Sequence, residues 1–385
     1  MRKQLLIAFL SLGMVSLFAD ICYEGMRSVI GSYMEFLELP VIFAGLVGVA
    51  EFVGYLARFA SGLIAAALRS ARVYWGLIYV GYLTNFTVPL LALTSRWDVV
   101  LLLIFIERIG KGLRSPVRDV VLAEVSEGIG KGKGFGIHEL LDQVGAFIGP
   151  IFVAWALFST SSYSYAYSLL AIPATISIVF LTLAFLNYPQ IKAVSSTSRQ
   201  GSMSRGLLLY LSSTSLILLG FIHWSILAYH FRVEGILPDY QIALAYSIAM
   251  VADAVVAVPI GMFYDKVGIK SLLFTPLTAL LISAVFAVQN TLTLVLTAVL
   301  WGITMSVYET IMRAALADIV EPANRAFAYG IFNLVAGVSW MLGSLVVAYL
   351  YGISRYLVIG FVVLTELVAL AFLLLTTRSY ERLKS

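Results

Sequence analysis

The sequence predicts an all-α polytopic membrane protein with twelve transmembrane helices in two pseudo-symmetric six-helix bundles. Three observations support this fold class. Of the 385 residues, 61% are hydrophobic, and the mean hydropathy of +0.96 is far above that of soluble domains. Twelve apolar segments are long enough for a helix to cross a hydrocarbon core roughly 30 Å thick. The second half of the chain also repeats features of the first.

The apolar segments are predicted to be helices because a helix satisfies its own backbone polar groups within lipid. The alternating strands of a membrane barrel are absent from the sequence. The first segment continues past Asp20, so it is interpreted as a span and not as a cleaved signal peptide. The predicted spans, numbered 1 to 12, are 5–34, 41–68, 73–93, 99–118, 135–158, 163–187, 206–231, 240–263, 271–289, 291–315, 327–351 and 355–377.

Arginine and lysine residues outside the spans are distributed unevenly between the two sides of the membrane. If the N-terminus is cytoplasmic, the outer loops hold only Arg96, Arg232 and Arg355. This bias follows the positive-inside rule and predicts a multi-pass protein of the cell membrane with both termini in the cytoplasm. It explains the net charge of +4 without nucleic-acid binding. The single cysteine, Cys22, excludes an internal disulfide framework.

A polar stretch between spans 6 and 7, "PQIKAVSSTSRQGSMSRG", lacks helical periodicity and is predicted to be a cytoplasmic linker. We therefore divide the chain into a bundle at 1–187, a linker at 188–205 and a second bundle at 206–385. Matching residues 194 positions apart support this division, and they are Ala123 with Ala317, Glu124 with Asp318, Gly136 with Gly330, and Gly149 with Gly343. Two duplicated helical halves are typical of transporters.

The loop after span 8 reads "GMFYDKVGIK" and resembles the G-x-x-x-D-R/K-x-G-R/K signature of the major facilitator superfamily. We expect Gly261 to permit close helix contact, Asp265 to cap a helix or meet an arginine, and Gly268 to permit a tight turn. The copy in the first half keeps Gly62 but has Ala66 at the aspartate position. The signature residues are Gly261, Asp265, Lys266, Gly268 and Lys270.

Span 4 contains "ERIGKGLRSPVRD", which resembles the fourth-helix pattern of a prokaryotic branch of the superfamily. Arg108 and Gly112 match the pattern, and Lys111 stands where glutamine is usual. Arg108 lies about 14 Å from the outer end of the span, near the bilayer middle. In proton-coupled relatives this arginine is implicated in proton transfer, so the resemblance implies that role here. Arg114 and Arg118, closer to the inner end, are expected to reach the cytoplasmic interface.

Span 5 resembles the antiporter motif of export-type members of the superfamily. The matching residues are Gly136, Gly145, Gly149 and Pro150, whereas two trailing glycines of the motif are replaced by Val153 and Ala154. The resemblance implies efflux. The alternative interpretation is that these glycines only allow helices to pack closely, as small residues do in membrane helices generally.

Ionisable residues within the spans are the candidates for a proton and substrate pathway, because they are costly in lipid. Asp20, Glu24 and Arg27 follow i, i+4, i+7 spacing and share one face of span 1. The resemblance implies that spans 1, 4, 7 and 10 line the cavity, which gives the candidates Asp20, Glu24, Arg27, Arg108, Lys111, His223 and Glu309. Second-rank candidates are Glu51, Glu139, Asp142, Asp253 and Arg313. Glu107 and Glu366 also lie within spans, and Tyr23, Tyr33, Trp224 and Tyr308 are candidate aromatic contacts.

The alternative for these charges is a static ion network that joins helices. His138, Glu139 and Asp142 open span 5 and are interpreted as capping and gating partners, not as a metal site. No other ligand cluster suggests a resident metal, and no cofactor is expected.

The resemblance implies a secondary active transporter that works by alternating access and is not an enzyme. We expect proton-coupled efflux of a small organic compound, anionic or amphipathic, by a monomer in the lipid bilayer. Two alternatives stay open. One is a proton symporter or facilitator for uptake of a small solute or a metal ion, and the other is a membrane receptor or scaffold that does not transport.

Overall fold

A computed structural model describes residues 2–68, 70–191, 204–321 and 324–384 of the chain. Within these ranges the ordered elements are helices, and no strand occurs. Most of the predicted linker, 192–203, lies outside the described residues.

The first six spans are helical along nearly their whole length. Two of them are built from several helical pieces, because 3₁₀ turns interrupt span 3 and a short break follows Leu169 in span 6. Spans 1 to 6 comprise Arg2–Phe36, Ile42–Leu68, Ala71–Leu83 with Thr84–Phe86, Thr87–Leu90 and Leu91–Leu93, Trp97–Val125, Lys131–Thr160, and Tyr163–Leu169 with Ala171–Asn187.

The second six spans show more interruptions. Span 7 stops at Gly220 and resumes at Trp224, where the His223 side chain accepts a hydrogen bond from Ser225 N as the N-cap. Spans 7 to 12 comprise Arg205–Gly220 with Trp224–Val233, Asp239–Val267, Gly268–Phe274 with Thr275–Ser283 and Ala284–Phe286, Thr291–Glu309 with Ile311–Ile319, Arg325–Ile353, and Arg355–Lys384.

Ten described stretches are long and apolar enough to cross a membrane. One of them, Asp239–Phe286, holds both span 8 and span 9. Span 4, Trp97–Val125, is a 29-residue helix that stands outside this group, and it is rich in charged residues. The prediction of an all-α membrane protein with twelve spans is therefore confirmed.

The described residues form two compact units. The first unit takes its residues from Met1–Leu39, Ala50–Ser196 and Pro238–Ser247, and the second from Pro40–Val49, Thr197–Leu237 and Ile248–Ser385. The units thus follow the predicted halves except that the first turns of spans 2 and 8 are exchanged.

Close packing explains this exchange. In the second unit, a methyl group placed on Gly48 would lie 2.6 Å from Ser344 Cβ, so the start of span 2 lies directly against span 11. In the first unit, Ser247 Oγ donates to Phe147 O at 3.2 Å, which ties the start of span 8 to span 5. The predicted boundaries did not include this exchange.

Glycines bring spans 1 and 5 together. A methyl group on Gly149 would lie 2.5 Å from Ile21 O, and one on Gly145 would lie 3.0 Å from Asp20 Cβ. Gly112 similarly lies against span 2, where a methyl group would meet Ala57 Cβ at 2.9 Å. Pro150 lies within the span 5 helix.

Three other motif glycines do not have the packing role expected of such residues. A methyl group on Gly62, Gly136 or Gly261 would meet no atom of the described residues within 4 Å. The expectation that Gly261 permits close helix contact is therefore wrong, because no neighbouring helix approaches it. Gly268 has a φ of +66°, which agrees with the expected tight turn. Asp265, Lys266 and Lys270 are exposed near this turn.

Candidate functional site

Buried and half-buried charges from spans 1, 2 and 4 meet in the first compact unit. Arg108 Nη1 donates to Glu51 Oε1 at 3.1 Å, and Arg27 Nη2 lies 3.8 Å from the same oxygen. Arg27 Nη1 also lies 3.7 Å from Glu24 Oε1. One carboxylate oxygen of Glu51 is therefore shared by two guanidinium groups. We call this group the acid–base cluster and include in it Tyr23, Glu24, Arg27, Glu51, Glu107, Arg108 and Lys111.

Glu107 is the second carboxylate beside Arg108. Its Oε2 lies 2.7 Å from Arg108 Nε, and its side chain is 0% exposed. Neither oxygen of Glu107 accepts a hydrogen bond from a described residue, so the contact is an ion pair without hydrogen-bond geometry. Sequence reasoning placed Glu107 within a span but did not rank it, although its position next to Arg108 in an apolar run was a usable signal.

The ring of Tyr23 connects the cations of the cluster. Arg108 Cζ lies 3.9 Å and Lys111 Nζ 3.6 Å from the ring centroid, within the range of cation–π attraction. Arg27 Nη1 donates to the Tyr23 hydroxyl at 3.1 Å. Among the described residues, Lys111 forms no ion pair, although Asp20 and Glu24 act on it electrostatically.

Glu24 has a partner that the sequence did not predict. The Tyr246 hydroxyl donates to Glu24 Oε2 at 2.7 Å, and Tyr246 belongs to the part of span 8 that lies in the first unit. Both side chains are buried. The exchange of the first turns of span 8 therefore supplies Glu24 with a hydrogen-bond donor.

A second group of polar side chains joins spans 1, 4 and 5. His138 Nε2 lies 2.9 Å from Ser16 Oγ, and His138 Nδ1 lies 3.5 Å from Asp142 Oδ2. Arg118 Nη1 donates to Ser16 Oγ at 3.1 Å, and its Nη2 pairs with Asp119 at 2.9 Å. Asp142 in turn acts electrostatically on Asp20, a half-buried residue of span 1. His138 and Asp142 lie inside the helix that begins at Lys131, so they do not cap it, and the expected gating role stays a prediction. Glu139 is exposed.

Arg114 does not reach the cytoplasmic interface, so that expectation is wrong. The residue is 2% exposed, and Nη1 donates to Gly81 O at 2.8 Å and to Asn85 Oδ1 at 3.0 Å. The guanidinium lies 4.4 Å from the Tyr82 ring centroid. Gly81 makes this possible, because a methyl group there would lie 2.6 Å from Arg114 Cβ.

The remaining candidates lie in the second unit. His223 is buried, with Nδ1 2.7 Å from Ser225 Oγ and its ring edge-on to Trp340. Asp253 is buried, and its backbone carbonyl accepts from Ser306 Oγ at 3.0 Å. Glu309 ends the first helix of span 10 and is half-buried, and Arg313 is exposed with Cζ 6.0 Å from the ring centroid of Tyr308.

No group of three or more His, Cys, Asp or Glu within the described ranges is arranged to hold a metal ion.

Comparisons with known proteins agree with this architecture. Residues 206–385 match the sequence model of the Major Facilitator Superfamily. An uncharacterized protein of Mycobacterium tuberculosis is 33% identical over 373 residues, covering 94% of this chain and 90% of that protein. An uncharacterized MFS-type transporter of Methanocaldococcus jannaschii is 28% identical over 363 residues, covering 89% and 88%. The second half of the chain therefore matches the major facilitator superfamily in sequence.

Solved structures of membrane transporters share the fold of this chain. The crystal structure of the nucleoside transporter NupG superposes with a TM-score of 0.73 at 18% identity, covering 95% of this chain and 98% of that one. A POT family transporter in complex with 5-aminolevulinic acid superposes with a TM-score of 0.78 at 14% identity, covering 98% and 96%. The family match and the MFS-type relative support a membrane transporter of the major facilitator kind. The branch assignment from span 4 and the antiporter assignment from span 5 stay predictions.

Proposed function

We propose that this protein is a proton-coupled secondary active transporter that exports a small organic anion across the cell membrane, with both termini in the cytoplasm. The observation that carries the proposal is the position of Arg108 between two carboxylates, Glu51 and Glu107. A cation with two alternative anionic partners can exchange one for the other when either gains or loses a proton.

The charges of the site support proton uptake. The acid–base cluster and the neighbouring Asp20 together hold four carboxylates and three basic side chains, so one added proton makes this set neutral. The carboxylates are Asp20, Glu24, Glu51 and Glu107, and the basic side chains are Arg27, Arg108 and Lys111. Because buried charges without partners are costly, protonation of one carboxylate changes which arrangement of the cluster is most stable.

Lys111 supports an anionic substrate. Its ammonium lies on the face of Tyr23 and forms no ion pair among the described residues. A carboxylate of a substrate can therefore pair with Lys111 without first displacing a salt-bridged protein group. Proton binding and substrate binding therefore change the charge of the same site, so each affects the other.

The energetics are sufficient. One elementary charge that crosses 100 mV contributes about 2.3 kcal/mol. That free energy corresponds to roughly fifty-fold accumulation.

Proteoliposomes that contain a trapped pH-sensitive dye test the proposal. A panel of small organic carboxylates is offered, with the methyl ester of each as the uncharged control. We expect carboxylates, but not esters, to stabilise the purified protein against heat and to drive proton flux opposite to their own movement. Glu51→Gln should abolish this flux. Equal effects of acids and esters, or protons moving together with the anion, would contradict anion export by antiport.

A further inference from the structure

A second buried carboxylate lies far along the chain from the acid–base cluster, on span 12. Glu366 is 0% exposed, and neither of its oxygens accepts a hydrogen bond from a described residue. Its Oε1 faces span 7, because a methyl group placed on Gly220 would lie 2.6 Å from that oxygen. The carboxyl group therefore points into the contact between spans 12 and 7, and not toward lipid.

No described charged group compensates Glu366. Spans 7, 9 and 11 pack against span 12. No described charged group on these spans interacts electrostatically with the Glu366 carboxyl group, which is affected by its burial alone. The hydroxyl of the adjacent Thr365 donates to Phe361 O and Val362 O of its own helix, both at 3.0 Å. On span 7, the ring of His223 is directed to Ser225 and Trp340.

The depth of Glu366 makes an ionised form unfavourable. At a rise of about 1.5 Å per residue, it lies about 16 Å from the start of the helix at Arg355, near the middle of the hydrocarbon core. A buried carboxylate without a partner takes up a proton because the charged form is poorly solvated. The neutral acid is therefore the form that fits this environment.

The backbone of span 7 beside Glu366 is not a continuous helix. The first helix of span 7 ends at Gly220, and the next begins at Trp224. The interrupted segment is held by specific contacts, among them Trp301 Nε1, which donates to Ile222 O at 3.0 Å. Discontinuous helices are the elements that transporters of several folds use beside their ion sites.

We propose that Glu366 is a proton-binding site of the second unit. The carboxyl group holds a proton in the conformation described here and releases it when a rearrangement of Phe221–His223 admits water. Proton binding stands on the geometry of Glu366, whereas the release step rests on the proposed proton-coupled function.

Infrared spectroscopy of the purified protein in lipid nanodiscs tests proton binding without transport. At neutral pH we expect wild type to show the carbonyl-stretch band of a protonated carboxylic acid, and Glu366→Gln to lose intensity in that band. Glu127→Gln, which changes an exposed glutamate, is the matched control and should leave the band unchanged. A wild-type spectrum in which Glu366→Gln removes no such intensity would overturn the proposal.

Proton flux tests the release step separately. In proteoliposomes with an imposed pH gradient, Glu366→Gln should keep the thermal stability of wild type but lose the pH dependence of flux, because glutamine cannot release a proton. If the variant keeps the wild-type pH profile, the proton is held permanently and the release step is overturned. If wild type itself shows no coupled flux, the proposed function fails, while the infrared result still decides the proton site.

Discussion

The two halves of the chain use the same helix contacts but treat buried charge differently. A methyl group on Gly149 of span 5 would collide with Ile21 of span 1, and one on Gly343 of span 11 would lie 3.0 Å from Leu219 Cα of span 7. Gly136 and its counterpart Gly330 both face open space among the described residues. The repeated glycines therefore have the same packing environment in both halves.

A repeated acidic position also keeps its role. Glu124 accepts a hydrogen bond from the Tyr188 hydroxyl at 2.6 Å, and its counterpart Asp318 accepts one from the Tyr264 hydroxyl at 2.7 Å. The two tyrosines come from spans that do not correspond, since Tyr188 follows span 6 and Tyr264 ends span 8. Both positions thus hold an acidic residue that accepts a hydrogen bond from a tyrosine, but the tyrosine comes from a different part of each half.

The deeper carboxylates are where the halves diverge. Glu51 and Glu107 lie beside Arg108, whereas Glu366 has no basic partner among the described residues. Backbone contacts through glycine tolerate little change, because a single methyl group prevents the approach. Buried ionisable residues can differ between the two halves as long as each one is paired or in its neutral form. The two halves thus share glycine contacts between helices and differ in whether a buried carboxylate has a basic partner among the described residues.

The largest effect is expected from Arg108→Ala. It leaves Glu107 without its cation and leaves Glu51 with the more distant Arg27, so it should destabilise the fold by about 3–5 kcal/mol, as when one partner of a buried ion pair is removed. Thermal unfolding of the protein in detergent measures this. Arg96→Ala, which breaks the exposed pair with Asp98, is the control and should leave the midpoint unchanged. A midpoint for Arg108→Ala equal to that of the control would show that the cluster does not stabilise the first unit.

Neutralising one carboxylate in each half compares the two directly. Glu51→Gln weakens a hydrogen bond to a charged group and should cost about 1.5–3 kcal/mol. Glu366→Gln replaces a neutral acid by a neutral amide of similar shape and should leave stability close to wild type. Unfolding midpoints of the two variants, measured side by side, check this. Equal losses would mean that Glu366 is ionised and paired.

Alanine substitutions of the paired glycines test the shared scaffold. Gly149→Ala and Gly343→Ala should each destabilise by about 1–3 kcal/mol, because the added methyl groups force helices apart. Gly136→Ala and Gly330→Ala are the controls, and they should be neutral or slightly stabilising because alanine favours the helix. Thermal midpoints of the four proteins are the measurement. If Gly149→Ala lowers the thermal midpoint and Gly343→Ala does not, the two halves do not have equivalent glycine contacts.

The smallest effect concerns the loop that follows span 7. Partial burial acts to raise the pKa of Glu234, but hydrogen bonds from Gln289 and Arg355 outweigh it and hold this pKa below the ordinary 4.5. The resulting stabilisation is present above pH 4.5 and is lost as the pH falls through the lowered pKa. We expect about 0.2–1 kcal/mol, as for a surface ion pair. The difference in midpoint between wild type and Glu234→Gln should shrink on acidification, and a constant difference would contradict this origin.

Several parts of the site were predictable from the sequence. Asp20, Glu24 and Arg27 share a helical face, and Arg108 interrupts an apolar run, so the residue pattern alone marks all four as candidates. The pairing of Arg108 with Glu107 was not predicted, since adjacent residues of a helix ordinarily point in different directions. Tyr246 was missed because it lies on span 8, in the second predicted half, and the sequence did not show that the first turns of this span belong to the first unit.

The sequence by itself determined the number of spans, their approximate ends and the duplication. These follow from hydropathy summed over about 20 residues and from matches along the chain, and both are local properties. Only the tertiary structure decided that Arg114 is buried against span 3 and that, within the described part of the chain, Gly261 contacts no neighbouring helix and Glu366 lies unpaired against Gly220. Each of these depends on which distant side chain occupies the space beside the residue, and packing between helices sets that neighbour.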